Sequence, residues 1–517
     1  MTRRIILAVA SGALLVLAFP PVDFSYLAWT GLVPFFFALY GRGKVSHRNA
    51  FSLGFIFGFV FFLGTVYWVV HSMHMYGGIG LKLSIPIMLL LVAYLSVYAG
   101  VYGLCLNAAR FKPAFFNMVF SASLWASLEY ARGCFLTGLP WSLLGYTQTP
   151  MLPVVQIADI TGVWGVSFLV VLGNYTLYLV LDAAFKSGKA PPLKEIAFSC
   201  IVFAAVIGYG LFMINSVDLD ASGWRPFKVG VAQGSIEQQM KWEESFASKT
   251  IDIYRALSIE AGRETPDVVV WPESAAPFFL EADTPQGTRL RDAVRDAGTY
   301  VLTGSIAYNS NPVTGAASYF NSAYLLDPDG GIIGRYDKLH LVPFGEYVPK
   351  AVKRFLPFIK KLTAGAGDFS EGPGPNPLSL NGVKIGVLIC YEAIFPDISR
   401  RETKNGAGVL VNITNDGWFG DTSAPYQHFQ MSVMRSVENR RFLVRSANTG
   451  ISAIVDPVGR VIKRTALFER TIFTGTIGLK DNGLSFYTRY GDVFVYALIA
   501  VSCILLLATA QGMWKGR

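Results

Sequence analysis

Three side chains able to act on one another stand where apolar runs give way to turns. Cys390 ends GVLIC (386–390) and is followed directly by Tyr391 and Glu392; Glu273 follows VVVWP (268–272); Lys338 falls inside YDKLHLVPFGEYVP (336–349). A rigid strand followed by an exposing turn is a common way to present a reactive group. A free thiol has a pKa near ~8.5 and is only a few per cent ionised at neutral pH. A neighbouring ammonium favours the thiolate and a carboxylate can take its proton. The set is therefore suited to nucleophilic attack on a carbonyl, with Lys338 and backbone N–H groups after Cys390 facing the developing oxyanion. Taken singly, each has a structural explanation: a cap for Glu273, a solvated cation for Lys338, a core thiol for Cys390.

The elements that must position these groups are unevenly distributed. The chain of 517 residues is 52% hydrophobic and only 15% charged, which is apolar for a soluble protein. Apolar runs at 5–18, 24–40, 50–70, 83–106, 115–131, 162–185, 197–214 and 493–510 give eight candidate spans, against the roughly 20 residues that cross a bilayer. The first is short. It reads as a retained helix or as a signal peptide, with Phe19, Pro20 and Pro21 standing where a small-residue cleavage site would be. Asp, Glu, Lys and Arg return at soluble density between about 226 and 490. The expected organisation is a seven-helix bundle over 1–215, a catalytic domain over 226–490, and a final helix with a short tail over 491–517.

If the spans alternate, Arg3, Arg4, Arg42, Lys44, Arg48, Arg110, Lys112, Lys186, Lys189, Lys194, Lys515 and Arg517 fall on one side. The positive-inside rule makes that side cytoplasmic. Both termini are then cytoplasmic and the 226–490 domain is extracytoplasmic. The net charge of +9 reads as a topology signal rather than a nucleic-acid footprint. Cys105, Cys200 and Cys503 lie within spans and Cys134 just past one, which leaves Cys390 alone in the exported domain. Export compartments oxidise thiols into pairs, so a solitary one there is a candidate reactive group. Ionisable residues are sparse in the spans, with Glu129 and Asp182 near their ends, which argues against a transporter.

Within 226–490 strands alternate with helical stretches. Strands are expected at 227–236, 267–277, 300–309, 383–390 and 407–416, hairpins at 322–341 and 442–464, and helices at 241–263, 289–298 and 425–440. This mixture predicts an α/β or α+β layered sandwich.

Together WPES, YDKLHLVPFGEYVP and ICYEAIFP resemble the Glu-Lys-Cys triad of the nitrilase, or carbon–nitrogen hydrolase, superfamily. Joined to a membrane bundle, they resemble the apolipoprotein N-acyltransferase family along essentially the whole chain. RGCFLTGLPWSLLGYTQ (132–148), VAQGSIEQQMKW (231–242) and TNDGWFGDTSAPYQH (414–428) are further similarities. The resemblance implies an αββα sandwich carried on a polytopic bundle of about eight helices in the inner membrane. It implies Glu273, Lys338 and Cys390 as catalytic residues, with Trp242, Glu346, Tyr391 and Glu392 supporting the site or contacting substrate. Cys390 would take an acyl chain from a phospholipid such as phosphatidylethanolamine and pass it to the α-amine of a diacylglyceryl cysteine at an apolipoprotein N-terminus. No metal or other cofactor is implied, and the expected state is a monomer. A membrane-anchored amidase or nitrilase using water as acceptor has the same triad requirements; eight spans are more than such an enzyme needs.

AVKRFLPFIKKL (351–362) mixes Phe355, Leu356, Phe358 and Ile359 with Lys353, Arg354, Lys360 and Lys361. Such a segment either lies in the headgroup layer or packs as an ordinary amphipathic helix. Replacing both Phe355 and Phe358 with Ser tests this. Turnover of bilayer substrate should fall while that of a short soluble ester is spared; equal losses on both would remove the headgroup-layer role.

Overall fold

The computed structural model describes residues 1–41, 43–186, 190–217, 223–238, 244–310, 317–348, 354, 368–479 and 483–511. It divides into two compact units. One comprises Met1–Val70, Gly80–Ser216 and Tyr490–Arg517; the other comprises His71–Ile79 and Val217–Arg489.

The first unit is a helical bundle. Among the described residues, five of its helices are long and apolar enough to cross a membrane: His47–Val66, Leu81–Ala108, Val163–Phe185, Leu193–Ser216 and Val493–Ala510. This corrects the expected eight, and the reasons are local. The first helix, Thr2–Leu17, has 16 residues. The second apolar run is broken into a 3₁₀ turn, Ser25–Trp29, and a short helix, Val33–Tyr40. The fifth, Ala114–Cys134, is long enough but carries Asn117, Ser121, Ser123, Ser127, Glu129 and Arg132. Glu129 and Arg132 are buried and serve the following loop: Leu144 N donates to Glu129 at 2.7 Å, and Arg132 donates to the Trp141 carbonyl at 2.6 Å. Close helix packing rests on small residues. At Gly54 a Cβ would collide with the Ala99 carbonyl of the neighbouring helix.

The second unit is a four-layer sandwich. Its first sheet holds β1 (Arg225–Gln233), β2 (Val268–Val270), β3 (Ala276–Phe279), β4 (Tyr300–Ser310), β5 (Ala317–Leu326), β6 (Ile332–Asp337) and, from the far end of the domain, β13 (Thr471–Leu479), in the order β13-β1-β2-β4-β5-β6 with β3 beside β4. The second holds β7 (Leu378–Leu380), β8 (Val383–Ile389), β9 (Val409–Thr414), β10 (Phe442–Ala447), β11 (Ala453–Val455) and β12 (Val461–Arg464), in sequential adjacency. β1, β2 and β4 run parallel, as do β8, β9 and β10; antiparallel strands flank both groups.

Strand alternation sends side chains to opposite faces, and both faces here are apolar. Phe227, Val229, Val231, Val268, Val270 and Leu302 meet Ile385, Val387, Ile389, Val409, Val411 and Val444 in one core between the sheets. On the outer face of the first sheet, Val269, Val301, Tyr324 and Leu326 cluster with residues of α1 (Glu244–Gly262) and α2 (Pro285–Ala297). A short helix, α3 (Pro396–Lys404), follows the Cys390 turn, and α4 (Ala424–Asn439) packs Phe429 and Val433 on Leu410 and Leu443 of the second sheet. The result is the αββα order expected, and it brings the ends of β2, β6, β8 and β9 together.

Candidate active site

Glu273 lies three residues beyond β2, after a segment that is held rigidly. Trp271 is fully buried, stacks on Tyr254 at 5.0 Å and donates its indole N–H to Ser258 at 2.8 Å. The turn presses against β4 at Gly304, where a Cβ would lie 2.5 Å from the Ser274 nitrogen and 2.7 Å from Glu273 Cα. Only a residue without a side chain allows that approach.

Lys338 is the first residue after β6, and its amide donates to the Asn321 carbonyl on β5 at 2.9 Å. Its Nζ is 2.9 Å from Glu346 Oε1 and 3.7 Å from Glu273 Oε1. The Asn321 side-chain amide donates to both carboxylates, at 2.8 Å to Glu273 and 2.7 Å to Glu346. Glu273 also accepts from Asn415 N at 3.0 Å, and Glu346 from Val342 N at 2.8 Å.

Cys390 is the first residue after β8 and has φ of 52°. A non-glycine residue held there is uncommon, and such conformations gather at functional sites. Two buried groups brace the turn. His428 Nε2 is 3.1 Å from the Cys390 carbonyl oxygen, which can only accept, so Nε2 carries the proton. Glu392 accepts from Ile389 N at 2.6 Å, Leu339 N at 2.6 Å, His340 N at 3.3 Å and Tyr336 Oη at 3.1 Å. One carboxylate therefore ties the chain carrying Lys338 to the chain carrying Cys390.

Glu273, Lys338 and Cys390 are 5%, 1% and 7% exposed, so their charges act with little solvent screening. Burial penalises the Lys338 ammonium, but Glu346 and then Glu273 lift its pKa above the usual lysine range. Burial, and then the Glu273 charge, push the Cys390 thiol up; Lys338 offsets this only in part. The sequence suggested a sulfur ionised by its lysine, whereas the structure holds a neutral thiol beside a carboxylate able to accept its proton. Burial, followed by the Lys338 charge, brings His340 down to about 4, so it is neutral. Burial raises Glu392 to about 7 against the pull of its backbone donors and Lys338.

Of the other residues singled out in the sequence, Glu346 lies on Lys338. Glu392 is fully enclosed by its four donors rather than open to an incoming amine. Tyr391 packs against Phe395 at 5.1 Å and His340 at 5.8 Å. Trp242 lies outside the described residues, as does 351–362 apart from Arg354.

The family model for the apolipoprotein N-acyltransferase N-terminal domain matches residues 11–176, and that for carbon-nitrogen hydrolases matches 228–484. An apolipoprotein N-acyltransferase from Geobacter metallireducens is 42% identical over 97% of this chain and 94% of its own length. The chain belongs to the apolipoprotein N-acyltransferase family. Another member, from Haemophilus influenzae, is 32% identical over 97% of this chain and 94% of its own. Among solved structures, an amidase of the nitrilase superfamily from Nesterenkonia AN1 covers 54% of this chain and 99% of its own at 18% identity, with a TM-score of 0.39.

The geometry gathers a thiol, a carboxylate and a cation. It also depends on residues that the sequence did not single out. Asn321 and Gly304 sit inside ordinary-looking strands, and only the approach of β2, β4 and β5 gives them their partners. Asn415 carried a signal, standing directly after the apolar strand β9 in TNDGWFG. His428 lies within the same quoted stretch, but its partner is a carbonyl that no side-chain pattern reveals.

Replacing Glu392 with Gln tests the tie. The amide NH₂ would confront at least one backbone N–H, and such an unmet buried donor costs about 1–3 kcal/mol. Because the folded pKa is raised from 4.5 to about 7, the proton's contribution to stability is complete below pH 4.5 and is lost as pH rises through about 7. Melting curves of the Gln variant should lose this share of the decline and sit lower in acid, with acyl transfer reduced more than about tenfold. A variant that melts and transfers like its parent would contradict the tie.

Proposed function

We propose that Cys390, Glu273 and Lys338 carry out the acyl transfer in two steps through a thioester. In the first, Glu273 takes the Cys390 proton as sulfur attacks an ester carbonyl of a membrane phospholipid. The S–C bond forms, the C–O bond breaks, and Glu273 returns the proton to the departing lysophospholipid oxygen. In the second, the free α-amine of a diacylglyceryl cysteine attacks the thioester. The N–C bond forms, the C–S bond breaks, and Glu273 passes the amine proton to sulfur. Lys338 faces the oxyanion in both steps, and a donor in that role typically supplies about 3–4 kcal/mol.

The observation that carries this reading is the fixed Glu273 carboxylate. Asn321, Asn415 N and Lys338 hold it in place beside the strained Cys390 turn, so no rearrangement is needed to receive a proton. Glu346 holds Lys338 from the other side. Glu392 fixes the turn, Tyr391 walls the acyl pocket and Trp242 contacts substrate.

The same reading divides the chain into a bundle over 1–215, a catalytic domain over 226–490 and a last helix over 491–517. Both termini are then cytoplasmic and the catalytic domain lies outside, an arrangement the one-sided basic residues support when Thr2–Leu17, Ser25–Tyr40 and Ala114–Cys134 cross the membrane beside the five longer helices. The donor is phosphatidylethanolamine-like, the acceptor is a diacylglyceryl-modified apolipoprotein, and the site lies in the inner membrane of the cell.

Incubation with phospholipid alone should add one acyl mass to intact protein, mapped to Cys390 and missing from the Cys390→Ala variant. A diacylglyceryl-cysteine peptide should then remove the adduct and gain it on its amine. Discharge to water alone would make the chain a hydrolase, and an adduct elsewhere would remove Cys390 from its role.

A further inference from the structure

We propose that Thr414 is a further catalytic residue: its hydroxyl stands between Asp416 and the Cys390 sulfur and turns its proton from one to the other as the sulfur becomes ionised. The inference rests on Cys390 as nucleophile.

The sheet itself makes the placement. β8 and β9 run parallel with Ile389 opposite Ile413, so the next residues, Cys390 and Thr414, leave adjacent strand ends side by side. Thr414 is fully buried. Its Oγ1 donates to Asp416 Oδ1 at 3.1 Å, and the same hydroxyl is in hydrogen-bonding reach of the sulfur. A hydroxyl has one proton and two lone pairs. With a neutral thiol, the hydroxyl proton rests on Asp416 and S–H is left to face Glu273. With a thiolate, it serves the sulfur.

Asp416 is built to be left without that proton. His428 Nδ1 lies 2.9 Å from Asp416 Oδ1, and Arg445 donates to Oδ2 at 2.8 Å. Arg445 is itself held by Ser432 at 2.9 Å and by Asn412. Asp416, Arg445 and His428 are fully or almost fully buried. Burial alone would protonate Asp416, but Arg445 and then His428 bring its pKa down to about 2. The Arg445 bond to Oδ2 keeps the carboxylate charged whichever way the hydroxyl points. Among the charged groups facing the sulfur, Glu273 and Asp416 oppose its ionisation and Lys338 favours it; Lys338 is largely occupied by Glu346. A donor that appears only when the thiolate does favours the transition state over the resting thiol. The step is balanced without it: the thiol proton goes to Glu273 and on to the leaving oxygen, while the Thr414 proton never leaves its own oxygen.

The test compares Thr414→Val, which keeps the shape, with Thr414→Ser, which keeps the hydroxyl. Rates of acyl-adduct formation on Cys390 and of its alkylation by chloroacetamide are followed against pH, by peptide mass. The Val variant should acylate about ten- to a hundredfold more slowly, the worth of a hydrogen bond to a charged group. Its alkylation profile should move to higher pH, while Ser stays close to the parent. A Val variant with parental rates and profile overturns the inference. So does equal slowing of Val and Ser with an unmoved profile, which is the mark of a packing role. If Val melts early, Thr414→Ala takes its place, and a parental profile there is equally fatal. Acyl transfer surviving in Cys390→Ala would instead overturn the nucleophile assignment itself.

Discussion

One ammonium answers to two carboxylates. Lys338 lies within 2.9 Å of Glu346 and 3.7 Å of Glu273, and is itself almost fully buried. Taking three charges out of solvent is costly unless each is met by a partner and hydrogen bonds. Asn321, Val342 N and Asn415 N provide those bonds. Burial, and then the Glu273 charge, hold the sulfur as a thiol, and Lys338 offsets them only in part. Cys390 is kept as a thiol at rest, and in the proposed reaction Glu273 accepts its proton during attack. A site poised this way is not an exposed thiolate open to oxidation.

The sandwich exists, for this purpose, to bring two sheets' strand ends to one point. Glu273 and Lys338 come from the first sheet, Cys390 and Asn415 from the second. The inter-sheet core fixes the sheets, but the last ångström is set by smaller devices. Gly304 admits the Glu273 turn, and Glu392 binds backbone from both the Lys338 and Cys390 segments. The positive φ of Cys390 is held by its own carbonyl's bond to His428. Each device is buried and satisfied, so each can hold strain without yielding to water.

Much of this was legible because the strands are apolar runs ending at chemistry-bearing residues. VKIGVLIC and AGVLVNIT declare both their structure and their ends. β13 was missed because TIFTGTIGL alternates apolar residues with Thr and Gly, a weak strand signal whose partner, β1, is more than two hundred residues away in sequence. The 442–464 hairpin contains three strands, since the NTG turn at 448–450 separates β10 from β11. Helix α3 hides in FPDISRRETK, where charge outweighs periodicity. Apolar length overcounted the spans because a run does not reveal a break such as that between Trp29 and Val33. The protonation state of Cys390 was beyond reach for a different reason: it depends on burial and on the nearness of the Glu273 charge, which only the folded chain sets.

The central claim is that the resting sulfur carries its proton. Infrared difference spectra between the parent and the Cys390→Ala variant isolate the S–H stretch of this one cysteine from the other four. The band should persist through neutral pH and vanish on acylation by phospholipid. A parent protein already lacking the Cys390 S–H band at neutral pH would show an ionised sulfur and contradict the account.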